Sequence, residues 1–335
     1  MSIGQDIRDM RAVWMENGIV RMMDQRILPQ RFSTVDLRDH LQVAESIRNM
    51  TVRGAPSIGA AAAYGMALAS LNGVDLASAA TELKAARPTA NDLFYAVDKM
   101  LEEISEGKDP VIAAEAYSND IVERCRSIGE HGHVLIEEGS KVMTHCNAGA
   151  LATVDVGTAL APMRRAWENG TEFFVYVSET RPRMQGMRLT AWELLNEGIP
   201  HAIIPDGAYG HFMRQGVDMV ITGADRVAPN GDFANKIGTF EKAVLAKEMD
   251  IPFYVAAPVS TFDFGIERGE DIPIEHRGPE EVTVIEGSRV APVGSQAFNP
   301  AFDVTPGTMV TGFITEIGIL TPGEIDRMRG ETVDE

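Results

Sequence analysis

"EFFVYVSETRPRMQGMRLTAWELLNEGIPHAIIPD", residues 172–206, contains two short apolar runs separated by one amphipathic segment. The runs "EFFVYVSE" and "HAIIPD" are rich in β-branched and aromatic residues and end at charged or turn residues, which is typical of buried strands. The segment between them has apolar residues at three- and four-residue intervals and ends at a glycine, as an amphipathic helix does. A strand, a helix and a second strand at this spacing predict a parallel βαβ unit.

The same alternation continues on both sides of this unit. Further strands are predicted at "KVMTHC", "DMVITGAD" and "PFYVAAP", and further helices at "ATVDVGTALAPMRRAWENG", "AYGHFMRQG" and "NKIGTFEKAVLAKEMD". We therefore expect a Rossmann-like, doubly wound parallel sheet domain over residues 136–335, with helices on both faces. The tail after residue 297 is expected to add a strand or to dock across domains.

The N-terminal part of the chain has a different pattern. Helical spacing recurs in "LQVAESIRNM", "IGAAAAYGMALASL", "TANDLFYAVDKMLEEIS" and "PVIAAEAYSNDIVERCRSIG". Only "GIVRMMDQRILP", residues 18–29, has the pattern of a strand pair. We therefore predict an α-rich N-terminal cap domain with a short strand pair over residues 1–135, which makes the whole chain an α/β protein.

The composition restricts the classes of partner. The chain has 335 residues, of which 44% are apolar and 24% charged, as in ordinary globular proteins with real cores. Its net charge of -19 argues against nucleic acid and anionic membrane surfaces as partners. The N-terminal residues do not form a secretory signal, and the longest small-apolar stretch is too short to span a bilayer, so we expect a cytoplasmic protein.

Several reactive side chains follow the predicted strands. In an open parallel sheet, ligands bind beyond the carboxyl ends of the strands, where helix N-termini also point. The residues found there are Cys146, Glu179, Asp206 and Asp225. This edge of the sheet is therefore the predicted position of the functional site.

Cys146 and Asp225 each allow two interpretations. A thiol that faces helix N-termini is a candidate base or nucleophile, although a lone cysteine is more often a small buried apolar residue. Burial at the end of an apolar run would raise the pKa of Asp225 and suit a general acid, but the residue could equally cap a turn or pair with Arg226. Cys125 lies in a helical pattern and is expected to be structural. His145 is expected to face away from Cys146, so the two should not share a metal ion.

Two other stretches could bind an anion. In "GADRVAPNGDFANKIGT", residues Asn235, Lys236, Gly238 and Thr239 are predicted to open a helix, where backbone amides and a lysine suit a phosphate or simply cap the helix. In "TVRGAPSIGAAAAYG", Arg53 and Gly54 come before the alanine-rich helix. The arginine can bind an oxyanion, and the glycine lets a ligand or another backbone segment come close to the chain. The further polar residues beside turn signals are Arg87 and Gln185. Each is an ordinary surface or turn residue by itself, but the arginines and the lysine of this set together supply the positive charge that an acidic protein needs at a phosphate site.

The usual cofactor signatures are not found in the sequence. The first strand-to-helix turn, "NAGALATVDVG", is not a GxGxxG fingerprint, and there is no GxxxxGKT, HExxH, paired CxxC or GxSxG motif. Two cysteines provide neither a disulfide framework nor a paired zinc motif. We therefore expect a site that works without a cofactor and without a metal.

Six of these stretches, taken in order, resemble the motifs of one family. They are "TVRGAPSIGAAAAYG", "ARPTANDLFYAVD", "THCNAGALAT", "ETRPRMQGMRLTAWEL", "GADRVAPNGDFANKIGT" and "NPAFDVTP". The pattern is similar to that of the methylthioribose-1-phosphate isomerases, whose superfamily includes the regulatory subunits of the eukaryotic initiation-factor exchange complex. The resemblance covers about residues 22–321. The chain departs from it at Phe233, where a smaller aliphatic residue is expected.

The resemblance implies a role for each of these residues. It implies that Asp225 is the proton donor and that Cys146 assists the transition state. It implies that the substrate is held by Arg53, Gly54, Ala55, Arg87, Gln185, Asn235 and Lys236, of which Ala55 comes from the family alone. It also implies a homodimer that binds a small sugar phosphate.

The activity implied by the resemblance is aldose–ketose isomerisation. The expected reaction converts 5-methylthioribose 1-phosphate to 5-methylthioribulose 1-phosphate, by acid-assisted ring opening and transfer of hydrogen from C2 to C1, in methionine salvage. One alternative is an isomerase of a related 5-deoxyribose or ribose 1-phosphate. The other is a regulatory subunit without catalytic activity, like those of the initiation-factor exchange complex.

Overall fold

The structure is a computed structural model that describes residues 10–88 and 91–328. The chain divides into two compact units, each with its own core. The first comprises Met1–Gly129 and Ala148–Ala161, as far as these are described, and the second comprises Glu130–Asn147 and Pro162–Glu335 up to residue 328. The predicted boundary after residue 135 lies close to the change of unit at Glu130, but it places residues 148–161 with the second domain.

The first unit begins with a small antiparallel sheet. Its strands are β1 (Val13–Glu16), β2 (Ile19–Met23) and β3 (Thr34–Leu37), in the order β1-β2-β3. The sequence predicted only a strand pair at residues 18–29, and of that stretch only β2 is a strand. The hairpin signal that this prediction overlooked is the pair Asn17 and Gly18, whose φ values of 53° and 72° make the tight turn between β1 and β2.

Helices follow the small sheet, as the α-rich pattern predicted, and the last of this group ends just inside the second unit. They are α1 (His40–Arg48), α2 (Ala55–Leu71), α3 (Leu76–Lys84), α4 (Asn91–Ser105) and α5 (Pro110–Gly132), and the predicted start of α4 at Thr89 lies outside the described residues. The alanine-rich α2 is buried on every side from Ser57 to Ala69. Its small side chains let neighbours approach closely, since a Cβ on Gly65 would lie 3.0 Å from Leu83. A helix that is apolar all round forms the centre of a core, and α2 does so here.

The second unit is built on one seven-stranded sheet. Its strands are β4 (Lys141–Thr144), β5 (Phe174–Ser178), β6 (His201–Ile204), β7 (Met219–Thr222), β10 (Phe253–Ala256), β14 (Gly312–Thr315) and β15 (Gly318–Leu320). The order is β15-β14-β10-β7-β4-β5-β6, and all neighbours are parallel except β14 and β15. The five predicted strands are confirmed, and the tail adds β14 and β15.

Short elements complete this unit. The helices are α6 (Leu160–Glu168), α7 (Ala191–Glu197), α8 (Tyr209–Met213), α9 (Thr239–Glu248), α10 (Glu280–Thr283) and α11 (Pro322–Met328), of which α6 begins in the last residues of the first unit. Two small antiparallel sheets contain β8 (Arg226–Val227), β9 (Phe233–Lys236) and β13 (Phe302–Thr305), and β11 (Val284–Ile285) with β12 (Ser288–Arg289). Phe233 packs in the core of this unit, with its ring centroid 6.3 Å from that of Phe253.

The helix predicted over residues 152–170 is shorter than expected. Only Leu160–Glu168 is α-helical, because Val154 and Val156 have φ values of 74° and 65° and Gly157 has 102°. A helix cannot pass through three left-handed residues. The loop is held instead by Ser57, whose hydroxyl accepts from the amide of Val154 at 2.8 Å.

No helix within residues 10–88 and 91–328 is both long enough and apolar enough to cross a membrane.

Candidate active site

The neighbouring strands β4 and β7 lie where the strand order of the large sheet reverses. From β4 the chain continues to β5 and β6 on one side, and then to β7, β10 and β14 on the other. The two strands are in parallel register, with Met143 opposite Val220. Ligands in such sheets bind beyond the carboxyl ends of the strands at this reversal. Cys146 follows the end of β4 and Asp225 follows the end of β7, so both predicted catalytic residues lie beyond the strands that flank it.

Cys146 has an unusual backbone conformation that is held on both sides. It is half-buried, and its φ of 63° lies in the left-handed region that residues other than glycine rarely adopt. Its amide donates to Oγ1 of Thr180 at 2.9 Å, and its carbonyl oxygen accepts from Oγ1 of Thr190 at 2.7 Å. Cys125, by contrast, is buried within α5.

Asp206, which follows β6, supports the turn that carries Thr180. Its carboxylate accepts hydrogen bonds from the amides of Thr180 at 2.9 Å and Arg181 at 2.7 Å, and from the hydroxyl of Ser178. Burial raises the pKa of Asp206, but these hydrogen bonds and the positive charge of Lys242 outweigh burial and leave the pKa below its usual value. Asp206 is therefore an anion that fixes the backbone after β5.

His145 is buried next to Cys146 and has both ring nitrogens engaged. Its Nδ1 lies 2.8 Å from Oγ of Ser178, and its Nε2 lies 2.9 Å from the carbonyl oxygen of Ile237. Since a carbonyl can only accept, Nε2 carries the hydrogen. Burial, and then the charge of Lys242, lower the pKa of His145 to about 3, so the ring is neutral. The histidine ties the end of β4 to the turn after β9.

No group of three or more His, Cys, Asp or Glu side chains within the described ranges is arranged to hold a metal ion. Glu179, the remaining acidic residue at this edge, is half-buried, and its carboxylate accepts from the amide of Asp206 at 3.3 Å. It therefore belongs to the same local network.

Asp225 differs from the expectation in its exposure. All four residues of β7 are buried, but Asp225 is exposed, because the chain leaves the sheet after Thr222. Its amide donates to the carbonyl oxygen of Ala234 at 2.9 Å, which fixes the backbone at the start of β8. The neighbouring Arg226 lies 3.3 Å from the carboxylate of Asp263.

The prediction that Asn235 and Lys236 open a helix is wrong. Both residues lie in β9, which pairs with β13 so that Asn235 stands opposite Asp303, and α9 begins only at Thr239. Gly238, with a φ of 96°, separates the strand from the helix. The predicted helix begins too early in the chain. Residues 233–236 form a strand because they pair with β13, and that pairing gives no local signal in the sequence.

Asn235 and Lys236 are nevertheless fixed and buried. The Asn235 side-chain amide donates to Oγ1 of Thr239 at 3.0 Å. Nζ of Lys236 donates to the carbonyl oxygen of Ala301 at 2.8 Å and lies 4.1 Å from the centroid of the Phe302 ring. Both side chains are therefore held in single orientations at the end of β9.

The N-terminus of α9 already has an anionic partner. The carboxylate of Asp303 accepts from the amides of Gly238 at 2.7 Å and Phe240 at 3.2 Å. Burial raises the pKa of Asp303 to about 6, against the lowering effect of these two amides. Backbone amides at this helix start, which were predicted to bind a phosphate, therefore donate to a carboxylate of the chain instead. Asp303 lies in the quoted motif "NPAFDVTP", but nothing in the sequence places it at this helix.

Gln185 is positioned by the glycine that follows it. A Cβ on Gly186 would lie 1.8 Å from the carbonyl oxygen of Ser178, so only glycine lets this turn pack on the end of β5. The next residues form a π-helical turn, Gly186–Thr190. Gln185 is buried, and its Oε1 has no hydrogen-bond partner in the part of the chain that the structure describes. Such an acceptor suits a donor from a ligand.

The other predicted substrate residues lie in the first unit. Arg53, Gly54 and Ala55 are half-buried at the start of α2, and Arg87 is half-buried just after α3. Gly54 is the N-cap of α2, with a φ of 92°, and it has no side chain with which to cap the helix. The first turn of α2 contains no acidic residue either. In α9, by contrast, the first turn contains Glu241, and the amides of Gly238 and Phe240 donate to Asp303.

Two residues beside Cys146 were missed at the level of the sequence. Thr180 and Thr190 lie 34 and 44 positions from the cysteine along the chain, and their hydroxyls contact its backbone. A threonine in a turn or a helix gives no sequence signal for a contact at that distance.

Comparison with known proteins gives a family and close relatives. The model of the initiation factor 2 subunit family matches residues 51–322. A methylthioribose-1-phosphate isomerase of Acetivibrio thermocellus is 50% identical over 325 residues, which cover 91% of this chain and 95% of that protein. The protein of the same name from Roseiflexus castenholzii is 49% identical, with 93% of this chain and 95% of that protein covered.

Two crystal structures are similar over almost the whole chain. One is a 5-methylthioribose 1-phosphate isomerase from Pyrococcus horikoshii, with a TM-score of 0.89, 41% identity and 96% of both chains covered. The other is described as subunit delta of the translation initiation factor eIF-2B from A. fulgidus, with a TM-score of 0.86, 41% identity, and coverage of 94% of this chain and 96% of that chain.

Proposed function

The chain belongs to the initiation factor 2 subunit family, and we propose that it is an aldose–ketose isomerase that converts 5-methylthioribose 1-phosphate to 5-methylthioribulose 1-phosphate. Relatives near 50% identity over more than nine tenths of the chain carry the name of this enzyme. The observation that carries the proposal is the position of Cys146 and Asp225, which follow the two strands flanking the reversal of the sheet.

Asp225 serves as the acid that opens the ring. The anomeric carbon of the substrate carries phosphate instead of a free hydroxyl, so the ring does not open as an ordinary hemiacetal does. A proton delivered to the ring oxygen lets the C1–O bond of the ring break. Asp225 is exposed to solvent, which supports this role because a proton donor must be able to contact the substrate.

Cys146 serves the hydrogen transfer from C2 to C1. As a thiolate it removes the C2 proton and forms an enediol. The proton then returns to C1, while the C2 hydroxyl gives its proton to the Asp225 carboxylate and becomes the ketone. In the other route it stabilises a direct hydride shift between the same carbons. Both routes need the sulfur atom at a fixed position relative to C1 and C2. The hydrogen bonds to the backbone amide and carbonyl oxygen of Cys146 restrict its position in this way.

The substrate phosphate is assigned mainly to the start of α2. The N-terminus of α2, whose first turn contains no acidic residue, favours a negative charge, and the guanidinium of Arg53 precedes it in the chain. We also assign Arg87 and Lys236 to the phosphate. The start of α9 is not assigned to it, because the amides there donate to Asp303. Asn235 and Gln185 are assigned to substrate hydroxyls, which the unpartnered Oε1 of Gln185 supports.

A regulatory role without catalysis is the second candidate, because the similar A. fulgidus structure is described as an initiation-factor subunit. The retained Cys146 and Asp225 favour the enzyme. Two further features remain part of the proposal: the homodimer that the family resemblance implies, and a place in methionine salvage in the cytoplasm.

The test is turnover of defined sugars, followed by phosphorus and proton NMR. The purified chain is incubated with 5-methylthioribose 1-phosphate, 5-deoxyribose 1-phosphate or ribose 1-phosphate at equal concentrations. Faster formation of ketose from the first sugar is expected. Faster turnover of another sugar would move the assignment to that substrate, and binding without turnover of any would favour the regulatory candidate.

A further inference from the structure

We propose that Thr180 and Thr190 are positioning residues that hold Cys146 in the left-handed conformation its chemistry uses. The inference rests on the isomerase function proposed above and adds to it a structural basis for the orientation of the sulfur. Neither threonine is among the residues assigned to the substrate.

Cys146 needs external support for its conformation. With a φ of 63° it is less favourable than in the ordinary β or α regions, because its Cβ crowds the backbone. Such conformations persist where the surroundings enforce them, and they cluster at functional sites. Here the two polar groups that flank the residue each have one side-chain partner, Thr180 on the amide and Thr190 on the carbonyl oxygen.

Thr180 is itself held rigidly. It is buried and has a φ of 64°, which is rare for a β-branched residue. Its amide donates to Asp206 at 2.9 Å, and its hydroxyl lies 3.1 Å from Oγ of Ser178. Since Asp206 also accepts from Arg181, this carboxylate fixes the turn on two consecutive amides.

Thr190 is held by a second buried carboxylate. Its Oγ1 accepts from Nδ2 of Asn147 at 3.1 Å, and the same nitrogen lies 2.7 Å from Oε1 of Glu193. Glu193 is buried and forms an ion pair with Arg164 at 2.7 Å. Thr190 ends the π-helical turn after Gln185, and its hydroxyl reaches Cys146 from there.

The two contacts fix the direction of the side chain. A change in φ at Cys146 rotates its Cα–Cβ bond about the backbone, and the sulfur moves with it. A displacement of about 1 Å at a reacting atom can cost about 100-fold in rate. Loss of a threonine hydroxyl should therefore lower kcat and leave KM nearly unchanged, because the substrate contacts stay in place.

The test uses variants that remove only the hydroxyl. Thr180→Val and Thr190→Val keep the shape of the side chain, and Thr180→Ser restores the hydroxyl. Thr305→Val is the matched control, because Oγ1 of Thr305 is buried without a hydrogen-bond partner among the residues described. We expect kcat to fall about 10- to 100-fold in the two valine variants, to recover in Thr180→Ser, and to stay unchanged in Thr305→Val.

A second measurement does not depend on the substrate. Alkylation of Cys146 by iodoacetamide, followed by mass spectrometry of its peptide, should be several-fold faster in Thr180→Val, because the half-buried thiol then samples more exposed conformations. Alkylation of the buried Cys125 and the thermal midpoint report any general unfolding. Both should match the wild type.

Three results would overturn the proposal. They are unchanged kcat in both valine variants together with unchanged alkylation in Thr180→Val, a serine variant as impaired as Thr180→Val, and an equal loss of kcat in Thr305→Val. A wild-type chain without isomerase activity would contradict the proposed function, and the alkylation rates would then decide the positioning role alone.

Discussion

Gly54 and Ala152 are in direct backbone contact, since a Cβ atom on Gly54 would lie 2.4 Å from the carbonyl oxygen of Ala152. Gly54 also has a φ of 92°, and it begins α2. The glycine therefore does two things that no other residue can do here. It takes a left-handed conformation, and it lets the loop after Cys146 lie against the start of the helix assigned to the phosphate.

Gly54→Ala should destabilise the first unit and lower activity. The substitution adds a conformational cost of about 1–2 kcal/mol and a steric clash with backbone that cannot move away freely. The matched control is Gly73→Ala, where φ is 67° but no atom lies within 4 Å of the added Cβ. Chemical denaturation should give the Gly54 variant a loss at least about 2 kcal/mol larger than the control. Equal losses would show that the contact with Ala152 is unimportant.

Arg53→Ala should weaken substrate binding. A hydrogen bond to a charged group is worth about 1.5–3 kcal/mol, so KM should rise about 10- to 100-fold while kcat changes less. Arg48→Ala is the control, because Arg48 is exposed in the last turn of α1 and lies 2.5 Å from Glu45. Steady-state kinetics on both variants decide the question. A KM that is unaltered in Arg53→Ala would remove this residue from the phosphate site.

His145 should make the fold less stable as the pH falls. Its pKa is lowered from 6.5 to about 3 in the folded chain, so the unfolded chain binds more protons between those values. The contribution of His145 to the free energy of unfolding is therefore fully present above pH 6.5. It decreases as the pH falls below 6.5, by at most about 1.4 kcal/mol per pH unit. Chemical denaturation at several pH values should show a flatter profile for His145→Gln. Parallel profiles would contradict the neutral, buried state of the ring.

Asp303 should make the fold less stable as the pH rises, which is the opposite of the effect of His145. Burial raises its pKa from 3.8 to about 6, so the folded chain binds more protons than the unfolded chain between these values. Its contribution to stability is therefore largest below pH 3.8 and is lost as the pH rises to 6. Asp303→Asn should remove this loss, so that its stability relative to the wild type rises between pH 4 and pH 6. A constant difference across this range would argue against the raised pKa.

Much of the second unit could be predicted because its pattern is local. The stretches that became β4, β5, β6, β7 and β10 are short apolar runs bounded by turn residues, and each signal lies within a few positions. The positions of Cys146 and Asp225 at strand ends followed from the same runs. Family motifs added Ala55, which no local pattern marks.

The remaining features depend on contacts between distant parts of the chain. β9 is a strand because β13 pairs with it, about 70 residues away, and the helical pattern that follows concealed it. Asp303 at the start of α9 and the threonines around Cys146 are of the same kind. Asp225 was expected to be buried because the run before it is buried, but exposure depends on where the chain turns after β7.

The most direct test of the account is the rate of ketose formation from 5-methylthioribose 1-phosphate in the wild type, Asp225→Asn and Cys146→Ala. Positioned acid–base groups contribute about 10²- to 10⁴-fold each, so we predict turnover by the wild type and a loss of at least about 100-fold in each variant, with thermal midpoints retained. Near wild-type turnover in either variant would contradict the proposed chemistry.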